Sequence, residues 1–486
     1  MFSCPTTGTW VNGCPSKGRI EVADYDLAGD GVIDSTDLQC AIDCLDGDIA
    51  PEWILTAADG PYVNSERSER GGELIFDPSL SYVIDGTVNL PTLIFQAPLV
   101  IRGNGAKLVA DSGLSGVMFR RVVPIGGNNC DAAWMGNNGT GWRIQDLSFV
   151  GHGGANLPSG MILDGLNNAV IDNCRFIGLS RGLVLRYVLT SQVSQCDFVN
   201  CLKTGLLVGN RTSATELWPG FDRCETGFAP VFGIPTGQNV VTLGGCNGTM
   251  LLHNHYFGHP DGSEALVYIH DAYNAFIQGS IYEGVLPKHA IYAESAAGIS
   301  FGFQIRNVSF ELGQAPGSYD PTSDVSLIRL NTWGSALSID GLHVEGGHHT
   351  VLDMRGASSG AASHVSMKNV HWFPSSLKIR FGNASDQFTF ENFRHIVDVP
   401  GRWIDAAGSL SASPTFVTEH RPADTRFYSA AAFKLEGDRM EAVELLTLPD
   451  SGFTVAPPNR TIWIDPVSNE LRYRSSGTTY RVVGVP

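Results

Sequence analysis

The tetrapeptide NCRF, residues 173 to 176, runs polar, small, variable, aromatic. The same pattern recurs as DLSF ending at Phe149, QCDF at Phe198, NHYF at Phe257, GSIY at Tyr282, NVSF at Phe310, GLHV at Val344 and NVHW at Trp372. Copies stand 22 to 34 residues apart, except for one interval of 59 that covers two repeats, with a blurred copy near FDRCETG, residues 221 to 227. Short alternating strands and polar turns at that period, with no helix in the unit, predict a parallel β-helix. One coil cannot bury its own apolar face, so coils must stack. Leucine-rich repeats would keep a fixed leucine spacing, and propeller blades run longer. The uneven intervals place loops at the turns, where binding sites are usually carried. Asn173, Asn254, Asn307 and Asn369 are expected to make turn or ladder contacts at the polar position.

Composition agrees with a β-rich chain. The 486 residues include 56 Gly and only 17% charged residues, which fits many tight turns between short apolar runs. A net charge of -17 argues against tracking a phosphate backbone, so nucleic acid is not an expected partner. The N-terminus lacks a basic stretch followed by an apolar one, and no run of 18 apolar residues occurs, so neither export nor membrane insertion is expected. Cys130, Cys174, Cys196, Cys201, Cys224 and Cys246 fall within the repeats and read as reduced core thiols. Cys4, Cys14, Cys40 and Cys44 allow two disulfides or a four-thiolate zinc site, though their spacing matches no tight zinc knuckle.

Upstream, GGELIFDPSLSYVIDGTVNLP, residues 71 to 91, and LVIRGNGAKLVAD, residues 99 to 111, resemble the opening coils of the pectate-lyase-like superfamily. That resemblance implies a right-handed parallel β-helix but no particular chemistry, because the fold hosts lyases, hydrolases and adhesins alike. Residues 24 to 37, DYDLAGDGVIDSTD, resemble one calcium loop of dockerin and EF-hand-like modules. Asp26, Asp30, Asp34 and Asp37 take loop positions 1, 5, 9 and 12, and Gly31 takes the sharp turn, while Ala28 stands where a ligand is due. Past residue 405 the repeat fades into a polar linker, and residues 460 to 483 read as a small β-meander.

Together these parts resemble a bacteriophage tailspike. The expected organisation is all-β: an N-terminal dockerin or EF-hand-like virion-attachment module at 1–60, a solenoid at 61–405 and a C-terminal β-rich trimerisation domain at 406–486. The resemblance implies a homotrimer on the virion, assembled in the host cytoplasm and held to phage tail or baseplate proteins through its N-terminus. Its expected activity is to bind and often cleave bacterial surface polysaccharide, with no catalytic cofactor and Ca²⁺ only at the N-terminal loop.

One residue beyond the aromatic, the repeat carries Val150, Ile177, Val199 and Gly258 in the earlier copies, then Glu283, Glu311 and Glu345. On neighbouring rungs their Cα atoms would lie about 4.8 Å apart. Two ionised carboxylates at that distance repel by roughly 3 to 4 kcal/mol at an effective dielectric of 20, so one of them is expected to hold a proton. An acid beside a base is what glycoside hydrolysis requires, and neighbouring rungs suit retention whereas a skipped rung suits inversion. Glu283, Glu311 and Glu345 are therefore the expected catalytic residues, against the plainer reading of strand-end carboxylates directed at solvent. Trp218, Asp222 and Glu225, in a long loop, together with Tyr282, are the expected saccharide contacts; Asp261 and Glu264 form a further acidic insertion. A β-eliminating lyase is the alternative chemistry, with Tyr282, Lys288 and His289 near Glu283. A non-catalytic receptor-binding spike is the alternative without chemistry. His253, His255, His259 and His270 read as polar coil and loop residues rather than metal ligands.

Overall fold

The computed structural model describes residues 2–3, 10–11, 19–46, 72–90, 99–121, 139–209, 239–244, 248–259, 264–270, 274–285, 287–294, 302–312, 326–331, 336–345, 350–353, 364–372, 378–380, 387–395, 416–420, 425–429, 461–465, 470–475 and 478–481. The chain divides into two compact units, Met1–Gln314 and Ala315–Pro486.

The first unit is a parallel β-helix. Each coil lays its strands on three parallel ladders, two built of short strands and one of longer ones. In one coil these are Val170–Asp172, Arg175–Ile177 and Arg181–Leu189; in the next they are Gln192–Ser194, Asp197–Val199 and Thr204–Gly209. Equivalent strands pair in parallel and in register, Ile171 with Val193, Phe176 with Phe198 and Leu183 with Leu206. At the bend between the first two faces of each coil sits a residue with positive φ: Asn104, Asp146, Asn173, Gln195, His253, Gly279 or Asn307, at 49 to 63°, with Gly105 beside Asn104 at 88° and Asn307 within the longer strand Phe303–Leu312. Asn, Asp and Gly adopt that left-handed conformation at least cost, and one such residue turns the chain between two faces. Asn173 Nδ2 donates to Asp146 Oδ1 at 2.6 Å, a rung-to-rung contact of the expected ladder.

One copy of the repeat is displaced from its sequence reading. The left-handed residue in that coil is His253, so the tetrad is HNHY, 253 to 256, rather than NHYF. Tyr256 is the buried aromatic and pairs with Phe198 and Tyr282, whereas Phe257 is 43% exposed. Asn254 consequently leaves the polar column and points inward. Its Oδ1 accepts from Cys196 N at 3.0 Å and its Nδ2 donates to Val193 O at 3.0 Å, which satisfies a buried amide on neighbouring backbone.

Inside the coils runs an aromatic ladder of Phe149, Phe176, Phe198, Tyr256 and Tyr282, with successive ring centroids 5.3, 5.1, 5.0 and 4.6 Å apart and interplanar angles of 4 to 10°. Phe310 continues it, tilted. Each such pair stabilises by about 0.5–1.5 kcal/mol beyond the area it buries. Cys174, Cys196 and Cys201 are buried thiols of the same core, and burial pushes the Cys201 thiol up to about 12. Cys40 is disulfide-bonded and Cys44 is buried, whereas Cys4, Cys14, Cys130, Cys224 and Cys246 lie outside the described residues.

Residues 19 to 46 are woven into this unit rather than forming a separate module. Arg19–Glu21 pairs in parallel with Gly72–Ile75, and Val32–Ile33 with Ser81–Ile84, so they add a first rung. The helix Ser35–Asp46 buries Leu38, Ala41 and Ile42 against that end, and Gln39 exchanges hydrogen bonds with the backbone of Asn89 at 2.7 and 3.1 Å. Those bonds satisfy groups that a bare edge strand would expose.

In the second unit, Ala336–Glu345, His364–Trp372 and Gln387–His395 stack in parallel, and Phe416–His420 closes onto Thr425–Ser429 as an antiparallel hairpin. Thr461–Asp465, Glu470–Ser475 and Thr478–Arg481 form the antiparallel meander expected from the sequence. Among the described residues no helix is long and apolar enough to cross a membrane.

Candidate active site

The outward face of the first unit has two columns that matter, built from positions i and i+2 of the second strand in each coil. One column reads Val109, Val150, Ile177, Val199, Phe257, Glu283 and Glu311. The other reads Lys107, Ser148, Arg175, Asp197, His255, Ile281 and Ser309. Glu283 and Glu311 are thus register partners on adjacent rungs of one face, at the roughly 4.8 Å spacing of paired strands. The rung below them holds Phe257, not the Gly258 that the sequence reading placed there.

Each carboxylate has its own donor. His255 Nε2 donates to Glu283 Oε2 at 2.7 Å, and its Nδ1 lies 3.8 Å from Asp197 Oδ1. Asp197 in turn accepts from Arg175 Nε at 3.0 Å. A polar line of Arg175, Asp197, His255 and Glu283 therefore crosses four strands that are far apart in sequence. Ser309 Oγ donates to Glu311 Oε1 at 3.1 Å. The side chains of Asp197, His255 and Glu283 are 35 to 37% exposed, so this array is open to a ligand and its Coulomb terms are screened by water. Glu345 belongs to the second unit, where His343 Nε2 donates to its Oε1 at 3.1 Å and His343 pairs in register with His371.

Tyr282 is not a saccharide contact. It is 1% exposed within the aromatic ladder, burial drives its hydroxyl far above the ordinary tyrosine range, and that hydroxyl has no hydrogen-bond partner among the described residues. The strand alternates, and Tyr282 takes the inward phase while Ile281 and Glu283 take the outward one. Trp218, Asp222, Glu225 and Asp261 lie outside the described residues. Glu264 pairs with Lys288 Nζ at 2.7 Å, which ties two neighbouring rungs.

The histidines separate by environment. His253 makes the bend, and His259 is buried with Nδ1 against Cys201 O at 3.0 Å. His255, which the sequence reads as a polar coil or loop residue, is the one that joins the array, between Asp197 and Glu283. Its signal was present once the tetrad is set as HNHY, because His255 then occupies the outward position two before the column residue.

In the N-terminal loop the acidic groups serve the backbone. Asp26 accepts from Gly29, Asp30 and Gly31 amides, and Asp34 accepts from Thr36 and Asp37 amides at the start of the helix, as an N-cap does. Asp37 accepts from Leu27 and Asp34 amides, and burial raises its carboxyl above the usual range. Among the described residues no three acidic, histidine or cysteine side chains converge in a metal-holding arrangement.

The chain matches no protein-family model and no curated protein sequence. Among solved structures it is similar to a protein of Geobacillus virus E2, with 11% identity and a TM-score of 0.37 over 96% of this chain and 86% of that one. It is also similar to the tailspike protein of Escherichia coli bacteriophage HK620, solved with a pentasaccharide, with 12% identity and a TM-score of 0.47 over 83% of this chain. The alignment spans 65% of that tailspike chain. A third likeness is to the alginate lyase of a Paenibacillus species, with 13% identity and a TM-score of 0.39 over 78% of this chain and 98% of the other.

Proposed function

We propose that this chain is a tailspike-type protein that binds bacterial surface polysaccharide, O-antigen or capsule, and hydrolyses it with Glu283 and Glu311. The observation that carries this reading is their pairing on adjacent rungs of one outward face, with an exposed aromatic on the rung beside them. The rung spacing suits a retaining pathway, in which one carboxylate attacks the anomeric carbon and the other protonates the leaving oxygen, then activates water. His255 donates to Glu283, which suits a nucleophile held in one orientation, and Glu311 is assigned the acid and base steps. Glu345, beside His343, offers the same residue types in the second unit. Elimination is less well supported, because Lys288 is engaged by Glu264 and both Tyr282 and His289 are buried. Homotrimeric assembly and attachment to phage tail proteins through the N-terminus belong to the same proposal and rest on the resemblance of the whole architecture.

The test is incubation with a panel of purified bacterial lipopolysaccharides and capsules. New reducing ends without the ultraviolet absorbance of an unsaturated product support hydrolysis. Glu283→Gln and Glu311→Gln are each expected to lower the rate at least 10²-fold, the typical contribution of an acid or base. Cleavage at the parent rate by both variants would discard the pair; binding with no cleavage would leave a receptor-binding spike.

A further inference from the structure

We propose that Phe257 and Ile281, with His255 and Glu283, form a sugar subsite selective for a neutral unit carrying a methyl group, a 6-deoxy or N-acetylated hexose. This rests on the reading that the outward face handles saccharide and adds which kind it takes. The four residues form a checkerboard. His255 and Phe257 project outward from one strand, Ile281 and Glu283 from the next, with His255 in register with Ile281 and Phe257 with Glu283. The polar diagonal is closed by the 2.7 Å hydrogen bond, and the apolar diagonal is open: Phe257 is 43% exposed and Ile281 40%. Leu202 and Met250 are the other large apolar side chains exposed among the described residues.

The aromatic is kept uncovered by its neighbour. Gly284, at φ 66°, lies against the ring, where even a Cβ would stand 3.5 Å from Cε2. The His255 and Phe257 rings lie side by side, with centroids 6.2 Å apart. The open apolar area is on the order of 150 Å², scaled from about 150–250 Å² for a whole aromatic side chain. That is far below the roughly 800 Å² per partner of a stable protein interface, and polar groups interrupt it, so a sugar ring matches it better than a second copy of the chain. A pyranose presents one C–H face for Phe257 and hydroxyls for the His255–Glu283 diagonal, and a methyl substituent fills the position beside Ile281. The fixed charges favour a neutral unit. Asp197 and Glu283 face the site, and Arg175, on the rung beyond Asp197, is paired with Asp197, so a uronate carboxylate would meet like charge.

Saturation-transfer NMR on the full chain with fucose, N-acetylglucosamine, glucose and glucuronate tests this. The methyl protons of fucose, of N-acetylglucosamine or of both are expected to receive the strongest saturation, and comparing these two sugars separates the 6-deoxy from the N-acetyl source. Glucose should bind about four-fold more weakly, the factor that one buried methyl is worth, and glucuronate should give no signal. Phe257→Ala and Ile281→Ser, both at exposed positions, should each weaken the methyl-bearing sugar at least four-fold. Equal binding of glucose, glucuronate binding, parent-level binding by both variants, or a change of sedimentation in Phe257→Ala would each overturn the subsite. None of these outcomes depends on cleavage, so the subsite and the hydrolase reading can fail separately.

Discussion

Tyr256 and Phe257 are adjacent aromatics, and which of them faces inward decides what stands beside the glutamates. Tyr256 is fully buried between Phe198 and Tyr282, with centroids at 5.0 and 4.6 Å, so Tyr256→Ala removes a ring from the middle of the ladder and leaves a cavity. Large-to-small aromatic replacements of this kind cost about 3–5 kcal/mol, and loss of two stacked partners places this one near the top of that range. Phe257→Ala trims a 43% exposed side chain and is expected to cost about 1 kcal/mol or less. In urea unfolding followed by far-ultraviolet circular dichroism, with m of about 3 kcal/mol/M, Tyr256→Ala should lower the midpoint by more than 1 M and Phe257→Ala by about 0.3 M or less. The NHYF register predicts the reverse order. Equal shifts, or a larger one for Phe257→Ala, would refute the HNHY register and with it the placement of Phe257 next to Glu283.

Tyr282→Phe removes a buried hydroxyl without a partner among the described residues, so stability should rise by up to about 1 kcal/mol and polysaccharide cleavage should be unchanged; a lost activity would return Tyr282 to the site. Burial lowers His259 to about 4 from an ordinary 6.5, so the unfolded chain binds more protons between those values. Stability contributed by the neutral ring is present above 6.5 and is lost as pH falls toward 4, by about 3 kcal/mol in all, and His259→Gln should flatten that slope in urea midpoints measured across the range. At Gly151 an added Cβ would stand 1.9 Å from Gly178 O, so Gly151→Ala must push neighbouring coils away from each other and should cost more than about 3 kcal/mol; a near-parent melting temperature would show that the coils are looser than described.

Much of the fold was legible in the sequence. The aromatic of each tetrad, the small residue before it and the Asn, Asp or Gly that turns the strand are local requirements, repeated once per coil, and Asn173, Asp146 and Gly279 satisfy them where the pattern places them. The Glu283–Glu311 pairing was legible for the same reason, because both copies carry a Gly or Asn at the bend that sets the register. The coil with His253 at its bend was not. Its left-handed residue is an uncommon one, the following Asn imitates the expected polar position, and a slip of one residue in a three-residue strand sends every side chain to the opposite face.

From the residue order alone came the repeat, the stacked coils and the phase that turns two glutamates outward, since these follow from periodicity and backbone sterics within a few residues. Tertiary structure alone decided that Tyr282 is sealed in the ladder, that residues 19 to 33 begin the solenoid, and that His255 lies between Asp197 and Glu283, partners 58 and 28 residues away. Contacts of that kind depend on how loops of unequal length bring one rung over the next, and no local preference of the chain encodes that distance.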